Sequence, residues 1–257
     1  MDEKLQKLVQ YAEPKPKSLI CVSGNTSKVK TSFIPSLEFP PTPHGFEMAL
    51  TSLETYYSFP NINASNNHIK ISFDDGKSWL NIHLPIGCYE ITSINTELQR
   101  IIMEKTGDKK IEQRLSLSAN NITFHSVLQI LDGKCKVDFN VGNDSLQSVL
   151  GFDKKVYEYG RHESEGIVNI LSVNTILVHS DVIESSRLNG IEAPIIYTFF
   201  PNAAPGDKII SIPRHLIYIP LTLDIISHMT CWVTDQNGNA LDLQGEELTL
   251  TFHVKAR

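Results

Sequence analysis

The side chains best suited to chemistry in this chain are nine histidines and four cysteines. A neutral imidazole binds metals and takes up a proton near neutral pH, so histidine spacing is the first thing to read. No histidine has another three, four or five positions away, which removes the helix-borne zinc motifs. His68, His83, His125, His179, His228 and His253 fall in stretches that read as strands. Several take the polar phase, where a surface or half-buried histidine needs no ligand. Cys21, Cys88, Cys135 and Cys231 are widely separated. Without a Cys-x-x-Cys pair they read as ordinary thiols of a reducing compartment, and none lies in a glycine-rich turn at a helix start that would stabilise a thiolate.

Two fragments resemble parts of binding loops, and each fails at a required position. Gly76-Lys77-Ser78 matches the end of a phosphate-binding loop, but the glycine needed five residues before Gly76 is Ile71. Asp235-Gln236-Asn237 starts like a calcium loop, whose sixth position must be glycine and is Ala240 here. No Gly-x-Ser-x-Gly elbow occurs. The pairs Asp74-Asp75 and Glu246-Glu247 sit in turns, with nothing to raise a carboxyl pKa. The expectation is no catalytic residue, no cofactor and no metal ligand.

The elements that would position any site are mostly strands. Ile69, Ile71 and Phe73 alternate, Asp75-Gly76 supplies a turn, and Trp79 to Leu84 returns, a strong hairpin signal. A second hairpin is expected from Ile122 to Leu131 through Asp132-Gly133 to Lys134–Val141, and a third from Met229–Thr234 through Asn237-Gly238 to Leu241–Leu243. Leu248, Leu250, Phe252 and Val254 alternate with polar residues in the last strand. Two helices are predicted. One spans Ser93 to Thr106, with Ser93 as N-cap and Gly107 as C-cap; the other spans Asn143 to Leu150 before Gly151. Strands and helices do not alternate regularly, so parallel α/β folds are disfavoured. The expected class is all-β: an antiparallel two-sheet jelly-roll sandwich with two short crossover helices.

At 257 residues and 41% hydrophobic the chain can bury a core without staples. No apolar run approaches the roughly 20 residues of a membrane crossing, and Met-Asp-Glu-Lys does not start a signal peptide, so no membrane partner is expected. The net charge of -6 argues against a dedicated nucleic-acid binder. Residues 1-30 nonetheless hold six lysines against Asp2, Glu3 and Glu13, a mildly basic start on an acidic body. Leu5, Leu8 and Val9 share one face of a short amphipathic segment, and Glu13-Pro14-Lys15-Pro16-Lys17 stops it. The reading is an N-terminal arm and linker over 1-17, an extended proline-rich segment over 18-45 ending in Phe39-Pro40-Pro41-Thr42-Pro43, and a jelly-roll domain over 46-257.

The C-terminal half carries a family resemblance. It runs through Asp144-Ser145-Leu146-Gln147-Ser148-Val149-Leu150-Gly151-Phe152, Val173-Asn174-Thr175-Ile176-Leu177-Val178-His179-Ser180 and Asn189-Gly190. It continues in Tyr197-Thr198-Phe199-Phe200-Pro201, Pro205-Gly206-Asp207-Lys208-Ile209, Leu216-Ile217-Tyr218-Ile219-Pro220 and Gly245-Glu246-Glu247-Leu248, with Pro85-Ile86-Gly87-Cys88-Tyr89-Glu90-Ile91 upstream. Over residues 46-257 this series resembles the penton, or small capsid, proteins of Polinton/Maverick elements and their adintovirus relatives. The resemblance implies a single jelly-roll subunit that forms a homopentamer at the five-fold vertex of an icosahedral virion, beside a double jelly-roll major capsid protein. It implies no catalytic residues. On that reading the protein is located in the capsid, Leu5, Leu8 and Val9 are an assembly interface, and the basic arm makes at most a weak contact with packaged DNA.

Two other readings belong to different classes. Jelly rolls also serve as binding modules, lectins or receptor-binding heads, which would require a loop cluster of aromatics and carboxylates that the sequence does not reveal. A cupin-type metalloenzyme would need histidines and a carboxylate gathered on neighbouring strands, and a metal analysis separates it from the rest.

Overall fold

Period-two burial organises the computed structural model, which describes residues 17–40, 42–170 and 173–257. The chain opens with β1 (Lys17–Gly24), β2 (Lys28–Glu38) and β3 (Phe46–Tyr56). It continues through β4 (His68–Ser72), β5 (Leu80–His83), helix α1 (Ile91–Thr106), a 3₁₀ turn at Ile111–Gln113, β6 (Leu115–Asn120), β7 (His125–Ile130) and β8 (Lys136–Asp138). Then come the one-turn helix α2 (Gln147–Leu150), β9 (Val156–Tyr157) and β10 (Gly160–Ile167). The last part holds β11 (Ile176–Ser180), β12 (Ser186–Leu188), β13 (Ile191–Ala193), β14 (Ile195–Phe199), β15 (Lys208–Ser211), β16 (Ile219–Pro220), β17 (Ile225–Thr234) and β18 (Leu248–Ala256). These residues form two units: the described chain up to Ser58 joined by Val173–Arg257, and the stretch from Phe59 to Ile170.

The first unit has two antiparallel sheets, ordered β1-β18-β3-β15 with β16 also on β3, and β14-β11-β17-β2. In β18 Leu248, Leu250, Phe252, Val254 and Ala256 are buried and every residue between them is partly exposed, as its alternation predicts. Ile20 and Val22 of β1, Met48 and Leu53 of β3, Val178 of β11 and Met229, Cys231 and Val233 of β17 are also buried. Contacts of β1 with β2 and of β3 with β14 bring the two sheets together. The fold is all-β and antiparallel, of the jelly-roll class.

Residues 18–38, expected to run outside the domain, are β1 and β2. β1 pairs with β18 from Lys17↔Lys255 to Gly24↔Leu248, and β2 pairs with β17. The reason is non-local: the partners of these strands lie some two hundred residues on, where a scan for prolines does not look. The expected third hairpin is shorter than predicted. Thr234 makes a single bridge to Ala240, and Leu241–Leu243 is not a strand.

In the second unit two small sheets, β5-β4-β8-β9 and β10-β7-β6, pack with α1. Ile91, Ile94, Leu98, Ile101 and Ile102 form the buried face of α1. The helix begins two residues before Ser93, with Glu90 at its N-cap and no side-chain cap. It ends as predicted at Gly107, whose φ of 73° is left-handed. The second helix starts at Gln147 rather than Asn143, because His68 N–H donates to Asp144 O and Leu146 N–H donates to His68 O, both at 2.8 Å. Asp132-Gly133 does not close a hairpin. β7 pairs with β6 and β10, whereas β8 crosses to β4 and β9. The core contains Phe139 and Phe152 stacked at 5.0 Å, with Tyr157 edge-on to both. A void of about 10 Å³ among Leu98, Leu128 and Phe139 is too small for more than a water.

Candidate functional site

The loop fragments singled out in the sequence are structural turns. Asp74 accepts hydrogen bonds from Ser72 Oγ (2.8 Å), Ser78 N (2.9 Å) and Ser78 Oγ (2.5 Å), while Gly76 takes φ 85°. The Ser78 bonds, then that from Ser72, hold the Asp74 carboxyl at about 2. Gly76-Lys77-Ser78 is thus a carboxylate-braced hairpin end, with no open nest for a phosphate. Asp235 likewise spends its carboxylate on Asn237 N and Asn239 N, both at 2.8 Å, and on Asn239 Nδ2 at 3.0 Å. Cys21, Cys135 and Cys231 form no disulfide, and burial pushes the Cys135 and Cys231 thiols up to about 12.

The six strand histidines do lie in strands, but they are not alike. His253 meets Tyr218 Oη at 2.7 Å, beside Lys255 over the Tyr218 ring. His228 faces Ser32 Oγ at 3.1 Å, and His125 Nδ1 meets Ser164 O at 2.5 Å. His179 is buried, stacked on Trp232 at 5.0 Å, with Nε2 on Thr234 Oγ1 at 2.9 Å. Burial lowers its pKa, favouring the neutral imidazole.

His68 and His83 form a cluster that sequence reasoning missed. They are directly opposed in the β4–β5 ladder, and their rings stack at 4.1 Å and 18°. Asp144 Oδ1 lies 3.4 Å from His68 Nδ1, and Asn81 Oδ1 lies 3.3 Å from His68 Nε2. One donor atom from each of His68, His83 and Asp144 falls within 4.8 Å of the other two. Desolvation raises the Asp144 pKa, but its own backbone N–H and the two imidazoles outweigh that and hold it below the usual carboxylate range. A signal for the histidine pair lay in the hairpin around Asp75-Gly76. Counting outward by equal steps from Asp75-Gly76 arrives at 68 opposite 83, although the ladder begins only at Ile71 and Leu80. Asp144 was not legible, since only the tertiary fold brings it there.

Exposed apolar side chains mark a second kind of feature. In β2, Leu37 pairs with Ile226 and Ser32 with His228, so residues 33–36 bulge opposite Ser227 alone. Ile34, at the crest of this end strand, is 96% exposed. Leu19, Phe200, Ile210, Ile212, Ile217 and Ile225 are also exposed in the first unit. In the second, Ile122 (89% exposed) and Phe124 (68%) cap the β6–β7 connection, where Phe124 takes φ 59° and its carbonyl accepts from Val168 N at 2.8 Å. A bulky residue held in the left-handed region is strained, and clustered exposed apolar groups mark interaction surfaces. Leu5, Leu8 and Val9, the interface expected from the sequence, lie outside the described residues. Among the described residues no helix is long and apolar enough to cross a membrane.

No protein-family model matches the sequence, and no curated protein is recognisably similar to it. Among solved structures, the mavirus penton protein aligns over 95% of this chain and 100% of its own, with a TM-score of 0.53 and 7% identity. Fragments of the flagellar cap protein of Escherichia coli align over 85% of this chain, at 14% identity. They cover 57% and 100% of those chains with TM-scores of 0.24 and 0.23, which mark no common fold. The penton resemblance read from the sequence is therefore met by a penton protein at the level of fold.

Proposed function

We propose that this chain is a structural capsid protein that self-assembles as the homopentameric five-fold vertex of an icosahedral shell, beside a double jelly-roll major capsid protein. The observation that carries the reading is fold agreement with a penton protein along its whole length and nearly all of this chain. Large apolar side chains exposed on an end strand and on connecting loops support it, since assembly would cover them. On this reading the protein resides in the virion, and its arm, through Leu5, Leu8 and Val9, contacts a neighbouring subunit. The arm's lysines touch packaged DNA only weakly, and the protein has no enzymatic role. The cluster of His68, His83 and Asp144 is the observation that favours the cupin-type alternative. It belongs to the second unit, however, and not to the two large sheets of the first.

Native mass spectrometry at micromolar concentration and moderate salt tests the proposal. A pentamer, alone or in exchange with monomer, is expected, with well over 1,000 Å² buried between neighbours as in other stable interfaces. A persistent monomer at high concentration, or a clean trimer, would overturn it.

A further inference from the structure

We infer that His68, His83 and Asp144 form a binding site for one divalent transition-metal ion of the zinc class, which staples the turn preceding α2 to the β4–β5 hairpin. The backbone already holds the three residues together. The antiparallel ladder opposes His68 to His83. On its other side His68 makes a parallel bridge to Ser145, closed by the two 2.8 Å bonds His68 N–H to Asp144 O and Leu146 N–H to His68 O. Leu146 is fully buried, so the turn that carries Asp144 is anchored in the core. Little backbone freedom remains to be lost on binding, which favours a preorganised site.

The oxygens around His68 can accommodate a cation. Its two ring nitrogens face two oxygens, Asp144 Oδ1 at 3.4 Å and Asn81 Oδ1 at 3.3 Å. A neutral imidazole has one N–H and can donate to only one of these oxygens; in the tautomer that gives Nε2–H to Asn81, the Nδ1 lone pair faces the carboxylate. A positive ion between them resolves that opposition, and Asn81 then fixes the tautomer and ring orientation in the way outer partners of metal-bound histidines do. Ligands about 2.0–2.1 Å from a tetrahedral zinc ion lie roughly 3.3 Å from one another, and the His68–Asp144 pair is already at 3.4 Å. His83 is exposed, and a turn of its ring off the His68 stack covers the remaining distance.

Two imidazoles and one carboxylate suit zinc, nickel, cobalt or copper. Magnesium and calcium prefer all-oxygen shells. Three protein ligands leave a fourth position for water. Because the ion binds the folded arrangement only, it stabilises the fold by mass action.

The test uses the full chain stripped with a chelator and titrated with zinc chloride by calorimetry. Cobalt chloride serves as a spectroscopic probe, and thermal unfolding is followed with and without zinc. Expected are one ion per chain, a cobalt spectrum of a tetrahedral centre, and a rise in melting temperature on adding zinc. His83→Ala alters an exposed side chain and should leave the fold intact while weakening zinc binding more than tenfold and abolishing the thermal shift. Asp144→Asn should do the same, and His215→Ala, at an exposed histidine in the other unit, should change neither. Absence of saturable binding below about 1 mM, binding indifferent to His83→Ala, or equal binding of magnesium would overturn the inference.

Discussion

Gly151 offers a quantitative test of how the second unit is held together. It follows α2 with φ 80°, and its carbonyl accepts from Gly166 N at 2.8 Å. A Cβ placed on Gly151 would lie 2.2 Å from Gly166 O, 2.7 Å from Gly166 C and 2.9 Å from Ile167 O. All three are backbone atoms, so no side chain can rotate away. Gly151→Ala therefore carries a left-handed penalty of about 1–2 kcal/mol. It must also push the 166–167 backbone off by about an ångström to reach ordinary contact. That movement strains the Gly166–Gly151 bond and the neighbouring Asn169 N to Val149 O bond, also 2.8 Å, at about 1 kcal/mol each. Leu150 and Phe152, both buried, flank the site and would repack imperfectly. The expected destabilisation is about 3–5 kcal/mol, a large share of the roughly 5–15 kcal/mol of a typical domain. Equilibrium urea unfolding, followed by a probe in the second unit, measures it. Gly133→Ala is the control: that position has no positive φ and open space around its Cβ, so a change within about 0.5 kcal/mol is expected. A Gly151→Ala cost below about 1.5 kcal/mol would refute the steric argument.

Two further outcomes follow from the same structure. Desolvation raises the Glu165 pKa, but hydrogen bonds from Lys155, Tyr157 and Asp153 N outweigh it and hold the carboxyl at about 2, against 4.5 ordinarily; the folded pKa is the lower one, so its stabilisation is complete above about 4.5 and lost as pH falls toward 2. The melting-temperature gap between wild type and Glu165→Gln should accordingly close between pH 4.5 and 2, and a gap independent of pH would show that the network contributes through packing alone. Ile34→Asp, at the crest of the β2 bulge, should reduce self-association on native mass measurement while changing monomer stability by no more than about 0.5 kcal/mol; unchanged assembly would remove the bulge from the interface.

Local features of the chain were readable wherever a short stretch carried its own reason. Alternation in β18, the left-handed glycine after α1, and the turn at Asp75-Gly76 are properties of adjacent residues. The strand placement of six histidines was readable for the same cause. The start of α1 was misplaced because Ser93 looks like a cap, whereas burial of Ile91 draws the helix two residues further back.

By itself, then, the sequence determined the class of the fold and, for strands such as β4, β5 and β18, their position and buried face, because side-chain period and turn stereochemistry act over a few residues. The tertiary structure alone decided that residues 17–38 join sheets with β17 and β18, that β8 leaves β7 for β4, and that Asp144 arrives beside His68 from 76 positions away. Any of several strands with a matching apolar row could have satisfied those pairings locally. The choice among them comes from burying all the rows at once, a sum over the whole chain that no local window contains.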